Sequence, residues 1–194
     1  MQVVRSDRID GVVVVVPDVH RDDRGTLVEV WRRDWFPEAP EIVQANRADR
    51  RAGTLVGLHF HRHQTDVWHV VSGLARVVLH DLRAGSPTAG ATVTLDLGAR
   101  ADERPDHRVL HIPPGVAHGF AALTDVVVSY LVDRVYDPDD ELGVAWDDPA
   151  VAADWAVADP IVSPRDQANP RVADLADELR PRWAGAPAPD PGGG

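Results

Sequence analysis

Four of the chain's nine histidines fall between residues 59 and 69. Within that stretch His59, His61 and Asp66 form an H-x-H-x4-D pattern, and a Pro113-Pro114-Gly115 turn delivers a further histidine, His118. Alternate residues of a strand point to one side. His59 and His61 are therefore expected to face a common interior, and Asp66, opening the next strand, can reach the same point. Imidazole and carboxylate groups that converge in this way suit acid–base work or the holding of a metal ion.

Two absences narrow the choice. The 194 residues contain no cysteine, and all 20 basic residues are arginine. Disulfides, cysteine nucleophiles and cysteine-ligated zinc are excluded. So are a Schiff-base lysine and a P-loop lysine. The formal net charge of −11 argues against non-specific binding to nucleic acid or to an anionic membrane. A small anionic ligand held by a local arginine cluster remains open. The longest apolar run, Val12–Val16, is too short to span a bilayer, and no signal-peptide pattern opens the chain. A cytoplasmic protein is expected.

The elements that must position these side chains read as strands. Short Val/Leu/Thr runs separated by Gly, Pro, Asp and Asn cover Val12–Val16, Thr26–Trp31, Glu41–Ala45, Leu55–His59, Asp66–Val71, Ala75–Asp81, Ala91–Leu97, Arg108–Ile112 and Val126–Val132. Many short strands with frequent turn signals predict an all-β sandwich or barrel. A short helix is expected over Val172–Leu179, and one domain over residues 1–180. The Pro/Gly-rich residues 181–194 are expected to form a disordered tail.

The two histidine motifs, Gly57-Leu58-His59-Phe60-His61 with Asp66 and Ile112-Pro113-Pro114-Gly115-Val116-Ala117-His118, resemble those of the cupin superfamily of jelly-roll barrels. A longer resemblance covers roughly residues 10–175. Asp22-Asp23-Arg24-Gly25 with Glu29, Gln44-Ala45-Asn46, Gly57-Leu58-His59 and Asp81-Leu82-Arg83 with Ser86-Pro87-Thr88 carry it in the first half of the chain. The His118 motif, Tyr136-Asp137-Pro138, Glu141-Leu142-Gly143, Trp146-Asp147-Asp148-Pro149 and Ser163-Pro164-Arg165-Asp166 carry it in the second. The similarity is to the dTDP-4-dehydrorhamnose 3,5-epimerase family, cupins that act on sugar nucleotides.

That resemblance implies an epimerase or isomerase of a dTDP-linked 4-keto-6-deoxy sugar, needing no cofactor. It implies His59 as base, Asp166 as its orienting carboxylate and Tyr136 as the acid that reprotonates. Arg24, Glu29, Gln44, Asn46 and His118 are implied to line the substrate pocket, with Arg24 the natural diphosphate clamp. It also implies a homodimer with exchanged N-terminal strands, so that Arg24 and Glu29 serve the neighbour's pocket. Two cations of the pattern are missing. Val56 stands where relatives carry arginine, and Asp66 stands where they carry a lysine that helps hold the enolate. His61 replaces what is commonly glutamine.

The changes at positions 61 and 66 bring back the metal-cupin pattern. His59, His61, Asp66 and His118 could then bind Fe, Mn, Ni or Zn as divalent ions. A metal-dependent cupin is accordingly a second reading, and a non-catalytic sugar-nucleotide binder a third. His63 and His69 are expected to be surface or packing residues, Trp146 to pack, and Asp137–Glu141 to form a solvated loop.

Overall fold

A computed structural model describes residues 1–37 and 39–184. The strands are β1 (Gln2–Arg5), β2 (Val13–Val16), β3 (Val19–Asp22), β4 (Gly25–Val28), β5 (Gln44–Arg50), β6 (Thr54–Phe60), β7 (Asp66–Asp81), β8 (Thr92–Ala99), β9 (Val109–Ile112), β10 (Val116–Ala122), β11 (Val126–Val132), β12 (Leu142–Gly143) and β13 (Ile161–Val162). The fold is all-β, as expected.

One long strand organises the barrel. The two predicted strands Asp66–Val71 and Ala75–Asp81 are a single strand, β7. Its first half pairs with β9 and β11, and its second half with β8 and β10. It therefore belongs to both walls. The bend between the halves falls at Gly73, at φ +79, where an added Cβ would lie 2.0 Å from the carbonyl oxygen of Asp125. Only glycine fits. On one wall β1, β2, β9, β7, β11 and β5 follow one another; on the other lie β8, β7, β10 and β6 with the short β12 and β13.

Three apolar layers hold the walls together. Trp68, Val70, Val77, Leu79, Leu110, Ile112, Phe120 and Val128 fill the space between them. Leu55, Leu58, Phe60, Val78, Trp155 and Leu175 pack on the outside of the β6–β10 wall. Val13, Val15, Trp35, Phe36 and Val109 pack outside the other. The unbroken run Val12–Val16 is explained by this arrangement: Val12 and Val14 face the inner layer while Val13 and Val15 face the outer one. A strand covered on both sides has no need of alternation.

The Asp81-Leu82-Arg83 and Ser86-Pro87-Thr88 motif is structural. Asp81 accepts from Arg83 Nε at 2.8 Å, Ser86 Oγ at 2.7 Å and Thr88 Oγ1 at 2.7 Å. Arg83 also donates to the carbonyl of Asp10 at 2.7 Å, tying the N-terminal segment down.

Several boundaries differ from expectation. β5 runs over Gln44–Arg50 rather than Glu41–Ala45, because Ala39 and Ile42 are drawn onto the Trp35–Phe36 layer and pairing with β11 begins only at Gln44. The Val172–Leu179 helix is instead two 3₁₀ turns, Val172–Asp174 and Asp177–Leu179, flanking an extended Leu175 that inserts into the outer layer. So short a helix would not offset its nucleation cost, and burying Leu175 does more. Among the described residues the α-helix lies earlier, at α1 (Pro164–Gln167). The expected tail boundary also shifts. Trp183 Nε1 donates to Asp10 Oδ2 at 2.7 Å and Ala84 bridges to Arg182, so the chain is docked as far as Trp183. The remainder of the expected tail, 185–194, lies outside the described residues.

Candidate active site

His59 reaches the barrel interior through an irregularity in β6. Leu55, Leu58 and Phe60 all belong to the outer layer, although Leu55 and Leu58 have opposite parity. Regular alternation forbids this. Opposite β10 the register passes from His59↔His118 to Val56↔Phe120, so β6 carries one extra residue. Such a bulge resets the alternation. Gly57 makes it possible: it sits at φ +117, and a Cβ there would lie 2.7 Å from Gly119 Cα and 2.9 Å from the His118 carbonyl oxygen.

The bulge also directs the Gly57 N–H toward Asp166, which it reaches at 3.3 Å. Asp166 Oδ1 is 2.6 Å from His59 Nε2. The carboxylate is held in the first turn of α1, where Ser163 caps the helix by accepting from the Asp166 N–H at 3.1 Å. Burial alone would raise the Asp166 pKa. Hydrogen bonding from His59, its charge, and the Gly57 N–H outweigh burial and bring it below the ordinary value. Ionised, Asp166 can only accept. His59 must therefore carry its proton on Nε2, leaving the Nδ1 lone pair as the basic site. Glu141 Oε1 lies 3.7 Å from that Nδ1.

The cavity into which His59 opens has a volume of about 240 Å³. His61, Asp66, His118, Tyr130 and Glu141 line it, with Val56, Trp68, Phe120 and Val128 as the apolar wall and Arg50 and Arg165 also contributing. His61, Asp66 and His118 are all buried and their ligating atoms lie within 4.8 Å of one another. Burial pushes His118 down to about 4, so the ring is neutral at physiological pH. Tyr130, half-buried, is raised above its ordinary value by burial and then by the charges of Asp66 and Glu141. Its phenol stays protonated.

Not every expected residue is brought here. Of the four candidate metal ligands, His61, Asp66 and His118 cluster; His59 is turned away to Asp166. Tyr136 is 66% exposed on the loop after β11 and borders a different surface cavity, with Val43 and Pro138. Gln44 and Asn46 hydrogen-bond each other at 2.9 Å on the β5 face that continues through Ala48 and Arg50 into the cavity. Arg24 and Glu29 do not line the cavity of their own chain. They belong to the β3–β4 segment, which forms a separate two-stranded sheet; Arg24 pairs with Asp22 at 2.5 Å and Glu29 with Arg32 at 3.5 Å. His63 is exposed and His69 packs in the barrel wall, where its Nδ1 lies 3.4 Å from the Arg108 carbonyl. Trp146 packs on the outer layer, as expected.

Sequence reasoning missed Tyr130, Glu141, Arg50 and Arg165. Strand parity held the signal for two of them. Val126, Val128, Tyr130 and Val132 share one face of β11, and Gln44, Asn46, Ala48 and Arg50 one face of β5. The supposedly solvated 137–141 loop instead contributes Glu141, and its buried Asp140 caps the N–H groups of Arg62 at 2.8 Å and His63 at 3.1 Å.

Residues 6–174 match the family model described as dTDP-4-dehydrorhamnose 3,5-epimerase. The chain is 34% identical over 198 residues to the dTDP-4-dehydrorhamnose 3-epimerase of Streptomyces niveus, covering 95% of this chain and 93% of that one. The crystal structure of NovW, a 4-keto-6-deoxy sugar epimerase from the novobiocin gene cluster of Streptomyces spheroides, superposes with a TM-score of 0.86 at 33% identity, covering 95% of this chain and 94% of that one. The Legionella pneumophila dTDP-6-deoxy-D-glucose-3,5-epimerase in complex with dTDP-4-keto-L-rhamnose superposes at 0.84 with 28% identity, covering 94% and 98%. These similarities span the barrel and every element that builds the cavity. The chain belongs to the dTDP-4-dehydrorhamnose 3,5-epimerase family.

Proposed function

We propose that this protein epimerises a dTDP-linked 4-keto-6-deoxy sugar at carbon adjacent to the C4 ketone. Inverting such a carbon requires a base on one face of the ring and an acid on the other. The observation that carries the reading is that His59 and Tyr130 line one cavity from opposite walls, His59 on β6 and Tyr130 on β11. His59 Nδ1 removes the α-proton, and Asp166 fixes the tautomer and stabilises the imidazolium that forms. The electron pair of the broken C–H bond passes to the enolate. Tyr130 then returns a proton to the opposite face. General acid–base assistance of this kind is worth roughly 10²–10⁴-fold. The acid role falls to Tyr130 and not to Tyr136, because a proton donor must reach the reacting carbon.

The cavity is smaller than the roughly 300–1,000 Å³ of most small-molecule sites. It suits the sugar ring, with the nucleotide held by added surface. The β3–β4 hairpin is the source that fits: it carries Arg24 and exposes Leu27. In this reading the protein is a homodimer with exchanged N-terminal strands, each hairpin bringing Arg24 to the diphosphate in its neighbour's pocket. It works in the cytoplasm, where sugars are carried as nucleotides.

The test is incubation with dTDP-4-keto-6-deoxyglucose in D₂O, with deuterium at C3 and C5 followed by NMR. Incorporation at one or both carbons is expected, and the pattern tells which is epimerised. Binding with no exchange at either carbon would instead mark a non-catalytic sugar-nucleotide binder.

A further inference from the structure

We infer that His61, Asp66 and His118 bind a divalent first-row transition metal ion, and that this ion holds the enolate oxygen of the substrate. The binding claim stands on geometry alone; the catalytic role rests on the epimerase reading above.

Each histidine is already oriented as a ligand. His61 Nδ1 donates to the Asp140 carbonyl at 3.0 Å, and His118 Nδ1 to the Val116 carbonyl at 2.9 Å. Histidines that hold metals are fixed in this way, by a hydrogen bond from the other ring nitrogen. With Nδ1 protonated, both Nε2 atoms present lone pairs. His61 Nε2 lies 3.6 Å and His118 Nε2 4.0 Å from Asp66 Oδ2. Those separations are too long for hydrogen bonds. These two, and a His61–His118 separation within 4.8 Å, are wider than the ~3.0–3.4 Å between ligands that share an ion at 2.0–2.1 Å, so the side chains rotate inward to close the set.

Asp66 is oriented too. Trp68 Nε1 donates to its Oδ1 at 3.2 Å and Gln64 Nε2 to its Oδ2 at 3.1 Å. His61 is pinned through its backbone as well, its carbonyl accepting from the Gly115 N–H at 2.7 Å. Two imidazoles and one carboxylate, on one side of an ion whose remaining positions open into a cavity, form a donor set for Fe(II), Mn(II), Co(II), Ni(II) or Zn(II). Three protein ligands with open positions are the pattern of a site that works on substrate rather than one that only staples a fold.

The role follows from the charge at the cluster: without an ion, Asp66 sets a buried carboxylate beside His61 and His118, and Arg165, one of the cations lining the cavity, is paired with Glu141. A divalent ion reverses that sign. The ketone oxygen takes an open position on the ion. As His59 removes the α-proton, the C–H pair forms the C=C bond and the carbonyl π pair moves onto that oxygen. Reprotonation by Tyr130 reverses the flow, and no net oxidation occurs.

The experiment is a Co(II) titration of the chelator-treated full-length protein, read by visible ligand-field bands, metal analysis and thermal melting. One Co(II) per chain is expected, with a dissociation constant at or below about 1 µM and a rise in melting temperature. In Asp66→Asn and His61→Ala the affinity is expected to fall at least tenfold, with the rise in melting temperature lost. Exposed His63→Ala serves as the control and should bind like the native chain. Less than a tenth of an equivalent bound, or full binding in both ligand variants, overturns the site. Deuterium wash-in at C3 and C5 reads the role: the rate should drop at least tenfold on metal removal and recover on reloading. Equal rates in both forms overturn the catalytic role and leave the site standing. Metal binding without exchange in any form overturns the epimerase reading instead.

Discussion

His59 Nε2 and Asp166 Oδ1 sit 2.6 Å apart although 107 residues separate them in the chain. A carboxylate held below its ordinary pKa makes this a fixed-tautomer dyad, with Nδ1 free to act. In Asp166→Asn the Gly57 N–H keeps an acceptor but the imidazolium loses its counter-charge. Deuterium exchange at the α-carbon should slow by roughly 10²–10³-fold, with the far-ultraviolet spectrum unchanged. An undiminished rate would show that His59 needs no carboxylate.

The two tyrosines divide by position. Tyr130→Phe keeps the ring in the wall of the cavity and removes only the proton donor. Epimerised product should fall by roughly 10²-fold or more, while wash-out of the α-deuteron by His59 persists. Tyr136→Phe, on an exposed loop, should stay within about twofold in turnover. Comparing product formation with wash-out in both variants checks the assignment, and the reverse ranking would return the role to Tyr136.

Gly57→Ala is predicted to damage stability and the site together. The new Cβ meets backbone atoms at 2.7 and 2.9 Å, which cannot move as side chains do, and φ +117 is strained for alanine. A loss of about 2–4 kcal/mol is expected, measured by urea unfolding. Because the bulge sets both the direction of His59 and the Gly57 N–H to Asp166, any folded fraction should be poorly active.

Asp81 makes stability depend on acidity. Burial alone would raise its pKa, but Arg83, Ser86 and Thr88 outweigh it and hold the group at about 2 against an ordinary 3.8. A folded-state value below the unfolded one means that the unfolded chain takes up the proton first. The stabilisation is therefore fully present above about pH 5, and it is lost as pH falls through 3.8 toward 2. It amounts to about 2 kcal/mol. Asp81→Asn should remove this acid-dependent increment. Because it leaves the buried Arg83 guanidinium without its counter-charge, it should cost about 3–5 kcal/mol at neutral pH. Unfolding midpoints of both proteins between pH 3 and pH 7 test the prediction.

Much of the barrel was legible because alternation and turn chemistry are local. Val126–Val132 is a strand with the bounds its residues suggest, and the i, i+2 spacing put His59 and His61 on the inner side. Motif similarity carried His59 and Asp166. It pointed to Tyr136, however, which lies in a recognisable Tyr-Asp-Pro motif, while Tyr130, the tyrosine that lines the cavity, sits unmarked among valines. Parity along β11 points to Tyr130, but only once it is known which face of that strand is inward. The 137–141 loop read as solvated for a similar reason. Its acidic composition says nothing of the partners that bury Asp140 and draw Glu141 to the cavity.

The sequence by itself determined the all-β class, the absence of any lysine, and the presence of Asp66 five residues after a histidine at 61. These are matters of residue type and short-range period. Only the tertiary structure decided how the four candidate ligands divide. The bulge at Gly57 turns His59 to Asp166, while β10 and the β7 start bring His118 and Asp66 to His61. Closing a barrel sets strands side by side that are far apart in the chain. Which side chains then meet depends on register, and one extra residue in one strand shifts every neighbour after it.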